Sequence, residues 1–180
     1  MSDSAVRRGA LDGRSVTAPR FAVLVVPPAH RTVLRAGADA LPALDAVLGL
    51  ELPSRIGASA VAGERSALCL GPDEWLLIDP DADPMANLAN VEASHSAVDV
   101  SHRQVGLLVT GEAAADALEH GCPRDLSLDA FPIGACARTV LGKVEVVLWR
   151  GKADAFRVEC WRSFSTYAMD FLEEVARGAG

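Results

Sequence analysis

An α+β fold built from two ferredoxin-like, βαββ-type halves is what this sequence predicts, and three observations predict it. Strand-like and helix-like patterning alternate along the chain, and two hairpins turn on glycine at corresponding places. Leu34, Gly37, Ala40, Ala43 and Leu44 also find Leu108, Gly111, Ala114, Ala117 and Leu118 at a constant offset of 74 positions. Farther on, Leu70, Gly71 and Leu77 match Leu141, Gly142 and Leu148 at an offset of 71, so the second connection is three residues shorter. The order implies mixed or antiparallel sheets, each covered on one face by helices. The halves run over about 21–97 and 98–177 of a single domain, 21–177.

Residues 1–20 are rich in Ser, Asp, Arg, Ala and Gly without periodicity, which predicts a flexible N-terminal tail. The apolar run Phe21 to Val26 meets Pro27-Pro28 well short of the roughly 20 residues that span a bilayer. A helix follows over 38–48. The first hairpin is 66–70, a Gly71-Pro-Asp-Glu74 turn, and 75–79, marked as strands by short apolar runs. A helix around 84–90 and a strand at 97–100 close the first half. From Val98 to Glu119 the chain reads as one strand turning into an alanine-rich helix at 112–120. The second hairpin is 137–141, Gly142-Lys143, and 144–149. A strand at 155–160 leads to a last helix whose one face carries Phe164, Tyr167, Ala168, Phe171, Leu172 and Val175 at spacings of three and four.

Composition narrows the functional classes. At 180 residues and 50% hydrophobic content the chain can bury a full core. A net charge of -7 supplies no global basic field for a phosphate backbone, which argues against nucleic acid as partner. No apolar run approaches the roughly 20 residues that span a bilayer, and Asp12 and Arg14 interrupt any secretory signal, so no membrane association and a cytoplasmic location are expected. Cys69, Cys122, Cys136 and Cys160 lie far apart with no Cys-x-x-Cys, which fits reduced thiols.

Four motifs occur in order: Leu70-Gly-Pro-Asp-Glu-Trp-Leu-Leu77, Val98-Asp-Val-Ser-His-Arg103, Gly121-Cys-Pro-Arg-Asp-Leu126 and Phe156-Arg-Val-Glu-Cys-Trp-Arg-Ser-Phe164. Asp99-Val-Ser-His102 resembles the folate-binding aminomethyltransferase superfamily at large. Taken together the four resemble one branch of it, the gamma subunits of heterotetrameric sarcosine oxidase, over roughly residues 31–177. The resemblance implies an aminomethyltransferase-like, folate-binding-like fold. It also implies a heterotetramer in which alpha, beta and delta subunits partner this chain and sarcosine is oxidatively demethylated to glycine. The complex would carry FAD, FMN, NAD and zinc, use tetrahydrofolate or release formaldehyde, and form hydrogen peroxide, with no cofactor bound by this chain.

The candidate chemistry is thin. The superfamily's paired Asp-Asp on the second hairpin is absent, since Leu141-Gly-Lys-Val-Glu-Val-Val-Leu148 leaves only Glu145, which alternation makes as suited to solvent as to a site. Asp99, Ser101 and His102 could be taken for a hydrolase triad. Neighbours on an extended strand point to opposite faces, however, so Ser101 and His102 pair only if the strand ends between them, and no Gly-x-Ser-x-Gly elbow is present. Their structural role would be to satisfy backbone groups at a strand end. His30, His95, His102 and His120 are too scattered to suggest a metal. No catalytic, cofactor-binding or metal-binding residues are therefore expected. Asp99, His102, Arg103, Trp161 and Arg162 are expected to form a subunit interface, because arginine beside an aromatic suits an acidic or flat partner surface. A stand-alone folate-binding, aminomethyltransferase-like protein is the alternative reading.

Overall fold

The computed structural model describes residues 11–178. Two antiparallel sheets carry eleven strands among these residues. The five-stranded sheet has the order β4-β5-β6-β3-β7, built from β3 (His30–Ala36), β4 (Ser59–Ala62), β5 (Arg65–Gly71), β6 (Glu74–Asp79) and β7 (His95–Asp99). The six-stranded sheet has the order β1-β2-β8-β11-β10-β9, built from β1 (Ser15–Thr17), β2 (Ala22–Val25), β8 (Gln104–Thr110), β9 (Cys136–Leu141), β10 (Val144–Lys152) and β11 (Ala155–Trp161). Every pairing is antiparallel.

Period-2 alternation gives each sheet two apolar faces. One face of the five-stranded sheet, with Leu34, Ala67 and Leu77, packs against α1 (Leu41–Leu48) and α2 (Pro84–Leu88) through Leu44, Leu48 and Leu88. One face of the six-stranded sheet, with Leu107, Val109 and Leu148, packs against α3 (Ala114–Glu119) and α4 (Ser165–Gly178) through Leu118, Ala168, Met169 and Leu172. The remaining faces meet through Leu68, Leu76, Ile78, Cys136 and Val147. The layers are thus helix, sheet, sheet, helix. Asp83 caps α2 by accepting from the Met85 N–H at 2.9 Å, and Gly49 ends α1 at φ 63°.

The two halves share a topology whose boundaries differ from those read along the chain. The strand orders β4-β5-β6-β3-β7 and β9-β10-β11-β8-β2 correspond position by position. β2, which begins the expected first half, therefore joins the second sheet, between β1 and β8. The hairpin β5-β6 corresponds to β10-β11 and not to β9-β10, so the match at an offset of 71 joins non-equivalent strands. The offset of 74 holds for the helices, where Leu44 and Leu118 are both buried. It fails in the strands, because Leu34 faces the helices whereas in β8 it is Leu107 and Val109 that do so, with Leu108 on the other face. A one-residue difference in a strand reverses the face while leaving the apolar pattern intact.

Residues 11–20, the described part of the expected tail over 1–20, pack against the six-stranded sheet and α4. Leu11 and Val16 are 2% and 5% exposed, and β1 extends the six-stranded sheet by pairing with β2. Arg14 bridges Asp170 and Glu173 of α4 at 2.6 and 2.5 Å. Two apolar side chains and one arginine suffice once a sheet edge and a helix face need cover. Residues 1–10 of that expectation lie outside the described residues.

Candidate functional site

The segment that reads as one strand from Val98 is broken by a 3-10 turn, Ser101–Arg103, and its two parts enter different sheets. The turn is locally determined. Asp99 Oδ1 accepts from the Ser101 N–H at 2.8 Å and from the Ser101 hydroxyl at 2.5 Å, and Ser101 Oγ accepts from the Arg31 N–H at 2.9 Å. The Ser101 hydroxyl and N–H together hold the Asp99 carboxyl below its ordinary range, because both bonds favour the charged form. The Asp99–Ser101 pair thus satisfies backbone at a strand end. Among the described residues His102 makes no side-chain hydrogen bond, so the Ser101 hydroxyl faces the Asp99 carboxylate and no imidazole.

A second 3-10 turn, Arg162–Phe164, links β11 to α4 and lies against the first. This contact brings sequence-distant residues into one patch. The Arg103 guanidinium sits 4.7 Å from the Trp161 ring centroid, and Trp161 stacks on Phe164 with centroids 6.4 Å apart. Trp161 and Phe164 are 45% and 43% exposed. All five expected interface residues, Asp99, His102, Arg103, Trp161 and Arg162, are exposed within or directly beside these two turns. Phe164 was expected on the buried face of the last helix. It lies instead in the turn before α4, where the 3-10 geometry rotates it out of the helical face.

Beneath the patch is a feature the sequence did not announce. Arg31 of β3 donates to both carboxylate oxygens of Glu159 on β11, at 2.6 and 3.1 Å, and Arg157 donates to Glu159 Oε1 at 2.7 Å. Arg31 and Glu159 are 128 positions apart, so no local pattern could pair them. Gly106 makes room for the pair: a Cβ there would lie 2.4 Å from Val26 Cγ2 and 2.8 Å from Glu159 Oε1. A second inter-sheet ion pair joins Glu74 of β6 to Arg138 of β9 at 2.5 Å, and Arg35 reaches Glu74 at 3.0 Å.

Two clefts flank the buried pair. One, of about 170 Å³, opens between the sheets beside Gln104, Arg138, Glu145, Glu159 and Trp161. The other, of about 510 Å³, runs under the Pro27-Pro28 corner between Leu11, Val25, Val105, His102 and Arg162. Glu145, the acid weighed on the second hairpin, is 58% exposed and 3.8 Å from Arg138 Nε. A solvated glutamate held loosely to an arginine does not fit the role of a buried acid pair. No three of the described His, Cys, Asp and Glu residues cluster as metal ligands. His95 and His120 place Nδ1 2.8 Å from the carbonyls of Ala93 and Asp116, which is local capping. No helix among the described residues is long and apolar enough to cross a membrane.

Comparison with known proteins gives a consistent answer. The model of the sarcosine oxidase gamma subunit family matches residues 35–177. A sarcosine oxidase subunit gamma from an Arthrobacter species is 38% identical over 112 residues, covering 60% of this chain and 55% of the relative. That of Corynebacterium sp. (strain P-1) is 31% identical over 140 residues, covering 76% and 69%. The match therefore spans little more than half of the Arthrobacter relative. A chain of the heterotetrameric sarcosine oxidase from Corynebacterium sp. U-96, solved with pyrrole 2-carboxylate, superposes with a TM-score of 0.87 at 26% identity, covering 96% of both chains. The glycine cleavage system aminomethyltransferase T of Bartonella henselae superposes at 0.62 over 85% of this chain and 45% of that one. At 11% identity this second likeness concerns the fold alone.

Proposed function

The chain belongs to the sarcosine oxidase gamma subunit family, and from that premise we propose that it is a non-catalytic subunit supporting assembly of a heterotetramer that oxidatively demethylates sarcosine to glycine. Its partners are alpha, beta and delta subunits, which hold the FAD, FMN, NAD and zinc of the complex. The one-carbon unit leaves as formaldehyde or passes to tetrahydrofolate. The observation that carries this reading is the likeness, over 96% of both chains, to a chain of a heterotetrameric sarcosine oxidase. Two features support a structural role. The second hairpin carries only a solvated Glu145, and Ser101 and Asp99 are spent on backbone at a strand end.

Asp99, His102, Arg103, Trp161 and Arg162 belong to the surface that meets a partner subunit. Exposed aromatics next to arginine have the composition of interface anchors. The test is direct. The purified chain is expected to show no flavin absorbance and to form no peroxide with sarcosine, yet to co-purify with flavin-bearing subunits when all are co-expressed. Turnover by the lone chain would refute a non-catalytic role. Micromolar binding of tetrahydrofolate to the isolated chain, measured by calorimetry, would favour the alternative of a stand-alone folate-binding protein.

A further inference from the structure

The two turns border both clefts: His102 and Arg162 line the larger one, while Arg103 and Trp161, their neighbours in the chain, line the smaller. Leu11, Val25, Pro27, Pro28 and Val105 give the larger cleft an apolar part of its lining, and its volume of about 510 Å³ admits side chains of an inserted segment. The charges at this surface are unevenly matched. Arg14 and Arg31 are ion-paired within the chain, to α4 and to Glu159. Arg103 and Arg162, which flank Trp161, have no ion-pair partner among the described residues, and Asp12 is the one carboxylate lining the cleft. These two guanidiniums stand exposed on a chain whose net charge is -7.

We propose that this cleft and the Arg103–Trp161–Arg162 turn together receive an extended segment of a partner subunit that carries an apolar anchor next to carboxylates. The apolar side chain enters beneath Pro27-Pro28, and the carboxylates meet Arg103 and Arg162. The charge favours this occupant over a second copy of the chain, which would add another -7 to the assembly. Desolvated arginine-carboxylate contacts at the rim of an apolar pocket give orientation and a salt-dependent association rate, and the buried side chain gives residence time. The inference rests on the subunit reading above and deepens it by naming the chemistry of the contact.

The test uses the full chain and the remaining sarcosine oxidase subunits, co-expressed and purified as a subcomplex. Binding of the wild-type chain is compared with the double variant R103E/R162E and with Pro28→Trp, which fills the cleft mouth from an exposed position. Melting temperatures report on folding. Both variants are expected to fold as the wild type does and to bind at least about tenfold more weakly. Wild-type affinity is expected to fall with added salt. A third variant, R103K/R162K, keeps the charge and allows carbodiimide cross-linking, which is expected to join its lysines to Asp or Glu of a partner subunit. Affinities within twofold of wild type for both weakened variants would overturn the inference, as would lysines that link only to another copy of this chain, and the subunit reading would survive either result. Failure of the wild-type chain to bind the subcomplex at all would overturn both.

Discussion

Arg31 Nε on one sheet lies 2.6 Å from Glu159 Oε2 on the other, with side chains only 3% and 2% exposed, so the halves of this protein are joined by a charge pair that water does not reach. The pair links β3 to β11, two residues before Trp161 of the exposed aromatic turn. Removing Glu159 leaves the Arg31 and Arg157 guanidiniums charged and uncompensated.

Glu159→Ala is therefore expected to destabilise the fold by about 3–5 kcal/mol, because Arg31 and Arg157 lose their shared carboxylate in a buried site. Urea unfolding of the variant against wild type measures it. A loss below about 1 kcal/mol would show that water or another carboxylate takes the place of Glu159.

Gly106→Ala tests the same site from the side of space. The new methyl would sit 2.4 Å from Val26 Cγ2, 2.8 Å from Glu159 Oε1 and 3.1 Å from an Arg31 nitrogen, so one of them must move. A loss of about 1–3 kcal/mol is expected from overpacking alone. The double variant G106A/E159A is expected to lose less than the sum of the two, since one steric partner is gone, and a double-mutant cycle reads that coupling.

Stability is expected to depend on Glu74 at acid pH. Arg138, first by its hydrogen bond and then by its charge, together with Arg35, holds the Glu74 carboxyl below its ordinary value near 4.5. A depressed folded value means that the stabilisation is fully present above the ordinary value and is lost as pH falls through the folded one. Glu74→Gln removes this dependence. The measurement is the urea midpoint of both proteins from neutral pH down to the acid limb, where the wild-type curve is expected to fall toward that of the variant. Parallel curves would refute the assignment.

The cysteines predict a chemical reporter of folding. Burial pushes the Cys136 and Cys160 thiols up to about 12, and burial also raises Cys69. Thiolate is the reactive form, so these groups are expected to react negligibly with a disulfide reagent at mildly alkaline pH in the native state and to react together on denaturation. Thiol counting with and without urea checks this. Rapid native labelling of Cys136, which lies between the sheets, would mean that the sheets part without global unfolding.

Most of the elements were legible because their signals are local. Short apolar runs bounded by glycine turns mark β5, β6, β9 and β10, and the three-four spacing of Tyr167, Ala168, Phe171, Leu172 and Val175 marks α4. The inner strand β3 was not assigned, and β1 and β4 were missed, being short and not strongly apolar. These last two are strands because an edge needed a partner, which no window of sequence records. The patch was half legible: Arg103, Trp161 and Arg162 drew attention by residue type, whereas the stacking of Phe164 and the ion pair below depend on two turns meeting in space.

By itself the sequence determined the α+β class, the positions of the long elements and, through four ordered motifs, the family, because these rest on periodicity, turn chemistry and residue identity along the chain. Only the tertiary structure decided that β2 completes the sheet of the second half, that the strand after Val98 breaks at Ser101 to enter two sheets, and that Arg31 meets Glu159. Each of these follows from which faces had to be buried against each other. Burial is settled between segments far apart in sequence, where a one-residue change of register reverses a strand's face without altering its pattern.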